Sequence, residues 1–175
     1  MQRWVLLLAA LVPLLVGCGE SDALPEAMPE DFRLVYAWRE GSLPPPYHYE
    51  YRITVEPDGA GLIEFWPDYP GPDSPRWTET FAVSAQVRRD LYAKMRTAEV
   101  WSAAWKEENP PRVGGSTSAL EARANGKAVT IPGDLVDAQA QRLAPVYAAI
   151  DQLVPRPQWE KLQAQRQQYE DTYSP

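Results

Sequence analysis

Between Tyr47 and Glu56 the chain alternates without a break. Tyr47, Tyr49, Tyr51, Ile53 and Val55 fall on one side, and His48, Glu50, Arg52, Thr54 and Glu56 on the other. A period of two marks a β-strand with one buried face, because successive side chains of an extended chain point to opposite sides. Pro57-Asp58-Gly59 follows at once, with proline presetting φ and glycine accepting positive φ, and Leu62 to Trp66 resumes an apolar run. That sequence of signals predicts a hairpin and commits the chain to a sheet.

Other segments extend the pattern. Phe32 to Arg39 alternates with Phe32, Leu34, Tyr36 and Trp38 on one face, and Trp77 to Val83 reads as a further strand. Asn125-Gly126, between Thr117 to Arg123 and Lys127 to Ile131, is the preferred two-residue hairpin turn. Ser84 is a good N-cap for a helix ending near Thr97, whose buried stripe is expected at Val87, Leu91 and Met95. Val100, Trp101 and Trp105 predict a second, shorter helical piece before Asn109-Pro110-Pro111 stops it. A stripe at Leu143, Val146, Tyr147, Ile150 and Leu153 predicts a helix from about Asp137 to Leu153, kinked or restarted at Pro145. Trp159, Leu162, Arg166 and Tyr169 mark a last helix. The expected fold class is α+β: an antiparallel sheet built from two hairpin regions with helices packed on one face, in the order strands, helix, strands, helix, helix.

The N-terminus carries an address. Arg3 precedes an apolar run from Trp4 to Val16, and Leu15-Val16-Gly17-Cys18 ends it with the only cysteine of the chain. At about 1.5 Å per residue the run spans roughly 20 Å, short of a hydrocarbon core of about 30 Å, so it reads as an export signal rather than a membrane span. The stretch resembles the lipobox of bacterial lipoproteins. The resemblance implies removal of residues 1–17 and a Cys18 that carries a thioether-linked diacylglycerol and an amide-linked acyl chain. It also implies attachment to the cell membrane or outer membrane, on the extracytoplasmic face, with Gly19 after the cysteine favouring the outer one. Residues 18–30 then read as a flexible tether and residues 31–175 as a single domain, a size that supports a full core. With its one thiol acylated, that domain folds without disulfides.

Formal net charge is −7, and Arg3 leaves with the signal, so the exported part is more acidic still. Such a balance repels nucleic acid, and no nucleic-acid partner is expected. No P-loop, dinucleotide fingerprint, G-x-S-x-G elbow or H-E-x-x-H motif occurs, and His48 is the only histidine. Its place in the alternation points it to solvent. Neither cofactor nor metal is expected. The loop from Trp66 to Trp77 holds four prolines, and Trp66, Asp68, Tyr69 and Trp77 are the candidate ligand-binding residues, as rings and an acid for stacking a sugar or peptide. Pro44-Pro45-Pro46 is a candidate polyproline II segment, and Arg88, Arg89, Lys94 and Arg96 make one helix locally basic. The leading expectation is a non-catalytic lipoprotein module that binds an envelope protein, peptide or glycan. A hydrolase using the carboxylates of Glu64, Asp68 and Glu79 competes with it, as does an inhibitory or structural lipoprotein.

Overall fold

The computed structural model describes residues 24–110 and 113–174, so the signal segment and Cys18 lie outside the described residues. Six strands, β1 (Arg33–Arg39), β2 (Glu50–Val55), β3 (Ala60–Trp66), β4 (Trp77–Ala82), β5 (Thr117–Ala124) and β6 (Lys127–Ile131), form one antiparallel sheet in the order β4-β3-β2-β1-β5-β6. Helices α1 (Ala85–Thr97), α2 (Asp137–Asp151) and α3 (Arg156–Thr172) pack into a single core on one face. The fold class is α+β, with β1 bridging the two hairpin regions through β2 on one side and β5 on the other.

Register explains the core. Tyr36 lies opposite Ile53 and Leu120, Ile53 opposite Ile63, and Leu120 opposite Ile131, so one row of side chains crosses five strands on the helix side. All five are buried, and each of the four aliphatic side chains contributes about 1.5–3 kcal/mol when removed from water. In the next part of the sheet Gly61 lies opposite Phe81, and the ring fills the space that a side chain at 61 would need.

The turns follow the sequence. Gly59 takes φ of 92°, and Asn125 and Gly126 take 51° and 73°, the left-handed pair that a two-residue hairpin turn requires. Asp31 clamps that second turn from across the sheet. Its carboxylate accepts from the backbone N–H of Asn125 at 2.6 Å and of Gly126 at 2.8 Å, and from Arg123 at 3.4 Å. The Gly126 N–H above all, helped by Asn125 and Arg123, holds the carboxyl below its ordinary range against the opposing effect of burial. The unfolded chain therefore takes up this proton first as pH falls. The stabilisation from Asp31 is complete above the ordinary carboxylate pKa of about 3.9 and is lost below it. The stability gap between wild type and Asp31→Asn should accordingly narrow in urea titrations run from about pH 6 down to about pH 3. A gap constant with pH would show that the charge contributes nothing.

Several local expectations are corrected. Tyr47 and His48 precede β2 rather than belonging to it, and the N–H of Tyr47 donates to Pro44 O at 3.0 Å, closing a turn where the proline run was expected to extend. Tyr47 is exposed instead of sharing the buried face. Ser84 does cap α1, accepting from the Val87 N–H at 3.3 Å, but Val87 is exposed and Tyr92 replaces it in the buried stripe with Leu91 and Met95. No helix forms at 100–105. That segment is a series of turns tied by Val100 N–H to Met95 O at 3.1 Å and by the Trp105 indole N–H to Val100 O at 2.9 Å. Glu99, at φ of 58°, ends the helical path. Conversely α2 runs through Pro145 without a restart, the proline lying on its exposed side.

Residues 24–30 lie against α1. The Tyr92 hydroxyl donates to Pro25 O at 2.7 Å, Arg96 donates to Glu26 O at 3.3 Å, and Leu24 and Met28 pack on the core. The second half of the expected tether is thus part of the folded domain.

Candidate functional site

Three helices cover one face of the sheet and leave the other open. Along the open face the register sets Arg39 opposite both Glu50 and Thr117, with Glu50 opposite Trp66. The next row runs Glu64, Arg52, Ala37 and Ala119. Two alanines in adjacent strands, at the end of this row beside the long side chains of Arg52 and Glu64, leave a depression of about 270 Å³ lined by Ala37, Ala119, Arg39, Arg52, Trp66 and Thr117. A second hollow of about 450 Å³ continues along the same face past Val35 and Thr54.

Charge around the depression is arranged unevenly. Glu64 accepts from Arg76 at 3.2 Å with one oxygen and lies 3.9 Å from the Arg52 guanidinium with the other. The Arg52 guanidinium also lies 5.8 Å from the centre of the Trp66 ring. Arg39 donates its Nε–H to Thr117 Oγ1 at 3.1 Å and has no carboxylate partner among the described residues. Its remaining N–H groups are a fork suited to a planar oxyanion.

His48 corrects the expectation of a solvent-facing histidine. The side chain is fully buried at the end of the sheet, with Nδ1 3.1 Å from Gly41 O and Nε2 2.9 Å from Glu50 Oε1. Both nitrogens face acceptor oxygens, so the ring donates at both positions when it carries two protons. The Tyr69 ring stacks on it, 3.7 Å between centroids and tilted by 4°, and the Tyr69 hydroxyl donates to Leu43 O at 2.9 Å. This places His48 as a brace that holds Glu50 and the Trp66–Trp77 loop against the end of β2.

The four residues singled out in that loop do not converge. Trp66 lies on the open face. Trp77 lies on the helix side, its ring 5.8 Å from Phe65 and 6.5 Å from Tyr169. Asp68 is buried and accepts from the Tyr69 N–H at 2.7 Å and the Tyr169 hydroxyl at 3.2 Å, which ties the loop to α3. The three candidate catalytic carboxylates part in the same way. Glu64 faces the open side, Asp68 is turned inward, and Glu79 pairs with Lys161 of α3 on the helix side. Nothing here resembles two carboxylates flanking one bond.

A second polar cluster is enclosed beneath α2 and α3. The Tyr51 hydroxyl donates to Asp151 Oδ1 at 2.9 Å, and Tyr36 shares a hydrogen bond with Ser118 at 3.1 Å. Burial pushes the Tyr36 phenol up to about 12 and raises Tyr51 further, with the neighbouring Asp151 adding to it. Burial also raises the Asp151 carboxyl, against the hydrogen bond from Tyr51. These phenols stay protonated, and the Tyr51 hydroxyl serves as a fixed donor that satisfies the half-buried Asp151 carboxylate. Among the described residues no three His, Cys, Asp or Glu side chains gather as a metal site, and no helix is long and apolar enough to cross a membrane.

No family model and no curated protein sequence matches this chain. Function has to be read from the chain's own surfaces, and the open face of the sheet is the one that brings unlike chemical groups together. Arg39, Arg52, Ala37 and Ala119 are invisible as a site in the sequence, where each arginine reads as one more solvated position of an alternating strand. Their meeting depends on β1 pairing with both β2 and β5. The one available signal is the pair of alanines, residues too small to fill a strand's outer face.

Proposed function

We propose that the protein is a membrane-anchored, extracytoplasmic lipoprotein whose domain is a non-catalytic binding module, with the uncovered face of the sheet as its binding surface. One observation carries the reading: a half-covered sheet whose open side holds Trp66, Arg52 and Arg39 around a floor of small residues. A few polar groups converging on a concave, partly apolar surface are the usual make-up of a ligand site. The dispersal of Glu64, Asp68 and Glu79 supports binding rather than hydrolysis.

The anchor reading rests on Leu15-Val16-Gly17-Cys18. Because Leu24 already packs on the core, only Gly19 to Ala23 separate Cys18 from the folded domain. Five residues reach at most about 17 Å when fully extended. A tether this short holds the domain at the bilayer surface and restricts its partners to molecules of the same envelope layer.

A photo-crosslinking residue placed at Thr78 or Thr130, on the open face, should give covalent adducts in intact cells. The same residue at Gln163, exposed on α3, should give none. Trp66→Ala should cut the adduct from Thr78 by tenfold or more. Equal labelling from both faces, or adducts indifferent to Trp66, would count decisively against the open face as the binding surface.

A further inference from the structure

We infer that the depression over Ala37 and Ala119 takes a carboxylate-bearing sugar ring, with Arg39 and Arg52 holding the carboxylate and Trp66 receiving the apolar face of the ring. The inference rests on the reading of the open sheet face as the binding surface, and names what that surface selects.

Size comes first. At about 270 Å³ the depression lies just below the range of about 300–1,000 Å³ typical of sites for drug-sized molecules, so it accommodates a single ring and its substituents. Ala37 and Ala119 expose the floor, and Gly133 at the edge adds no side chain, so a flat ligand can settle close to the backbone.

Charge decides the ligand's sign and its number of charges. Among the described residues Arg39 bonds Thr117 alone and Arg52 sits loosely beside Glu64, so both guanidiniums keep N–H groups without a described partner beside the depression. Glu50 lies between them in the register, opposite Arg39 and two residues from Arg52. Glu50 directs one oxygen to His48, while Glu64 is shared between Arg52 and Arg76. Three guanidiniums, Arg39, Arg52 and Arg76, beside the two carboxylates leave an excess of one positive charge. A single carboxylate, which forms planar bidentate pairs with arginine, is matched. A polyanion or a phosphate of double charge meets the Glu50 and Glu64 carboxylates and is disfavoured.

Ring chemistry decides the rest. Trp66 is half-buried, and the Arg52 guanidinium lies over one face of its ring, 5.8 Å from the centroid. Its exposed part is a rigid apolar plate with little conformational entropy to lose on contact. Sugar rings present a C–H face to such a plate and hydroxyls at their edge, where Thr117 stands. An aliphatic peptide C-terminus such as that of tri-alanine shares the carboxylate but has no ring for Trp66.

The test uses the full-length protein in detergent micelles. The Trp66 indole N–H resonance, assigned by its loss in Trp66→Phe, is followed during titration with D-glucuronate, methyl glucoside, acetate and tri-alanine. Glucuronate is expected to shift it at least tenfold more tightly than methyl glucoside or acetate. Arg39→Ala and Arg52→Ala should each weaken glucuronate by tenfold or more while leaving the thermal midpoint unchanged, since both side chains lie on the exposed side. Equal binding of glucuronate and methyl glucoside would overturn the carboxylate contact. Binding of tri-alanine in place of glucuronate would overturn the sugar while keeping the open face as the binding surface. No shift with any probe, together with adducts from Thr78, would overturn the ligand alone. No shift and no adducts would remove both readings.

Discussion

Replacing Cys18 with serine is expected to abolish fatty-acid incorporation altogether. Formation of a thioether requires sulfur, which attacks as the thiolate, and a serine hydroxyl cannot take its place. The chain holds no other cysteine, so no second thiol can mask the result. Cells fed labelled palmitate should show a labelled band for the wild type and none for Cys18→Ser. The N-terminal fragment of the wild type should begin at Cys18 and carry the mass of a diacylglycerol and one further acyl chain. The expected consequence for attachment is large. Each buried methylene contributes about 0.8 kcal/mol, and while one chain holds only marginally, two or more hold firmly. Wild-type protein should therefore resist extraction by high salt and alkaline carbonate and yield only to detergent. Label of equal intensity in both proteins, or none in either, would defeat the lipoprotein reading.

Placing a side chain at Gly61 is expected to have the largest effect on stability of any single addition to the sheet. A Cβ there would stand 2.4 Å from Cε2 of Phe81 and 2.6 Å from two more of its ring carbons. Real carbon contacts need about 3.5–4.0 Å. The ring cannot simply swing aside, because Phe81 is itself part of the core and lies directly opposite Gly61 across β3 and β4. Overpacking of this kind costs about 1–3 kcal/mol. Gly61→Ala should fall toward the lower end, and Gly61→Val, with two further methyl groups, at or beyond the upper. Urea unfolding checks the values. A double-mutant cycle checks the cause, since Gly61→Ala and Phe81→Ala combined should destabilise by less than the sum of the two singles. Strict additivity would mean that the clash is relieved elsewhere and that the pairing of glycine and ring has no part in it.

How far the fold can be read from the residues differs from element to element. Ile53, Val55, Phe65 and Leu34 reveal their faces because a strand's alternation is local and the buried side is strongly apolar. Ser84 reveals the start of α1 because a cap hydroxyl serves amides only three residues away. Asn125-Gly126 reveals its hairpin because few residue pairs tolerate positive φ twice in succession. By contrast, Val100, Trp101 and Trp105 have apolar spacing that a helix and a packed turn share equally. There Glu99 and the bond from Trp105 to Val100 decide for the turn. His48 is misread for a similar reason. Its place in the alternation assumes that the strand begins at Tyr47, whereas β2 begins at Glu50 and the preceding loop folds the imidazole under Tyr69.

The candidate site belongs to a different order of information. The prolines and rings of the Trp66–Trp77 loop stand out in the sequence, yet the loop's two tryptophans end on opposite faces, since Trp66 closes β3 on the open side and Trp77 opens β4 toward the helices. Arg39 and Arg52 stand out in neither composition nor motif. They become neighbours because two strands pair in one particular register.

By itself the sequence determined the α+β class, the two hairpins, the cap of α1 and the resemblance to a lipoprotein signal, because each depends on backbone conformation or side-chain pattern within about ten residues. Tertiary structure alone decided that residues 24–30 join the domain, that His48 is buried, and that Arg39, Arg52 and Trp66 surround a floor of alanines. Those outcomes depend on which strands pair and on what each buried polar group finds as a partner. Apart from the bonds of His48 to Gly41 and Glu50, such contacts join residues well separated along the chain, and no local pattern encodes them.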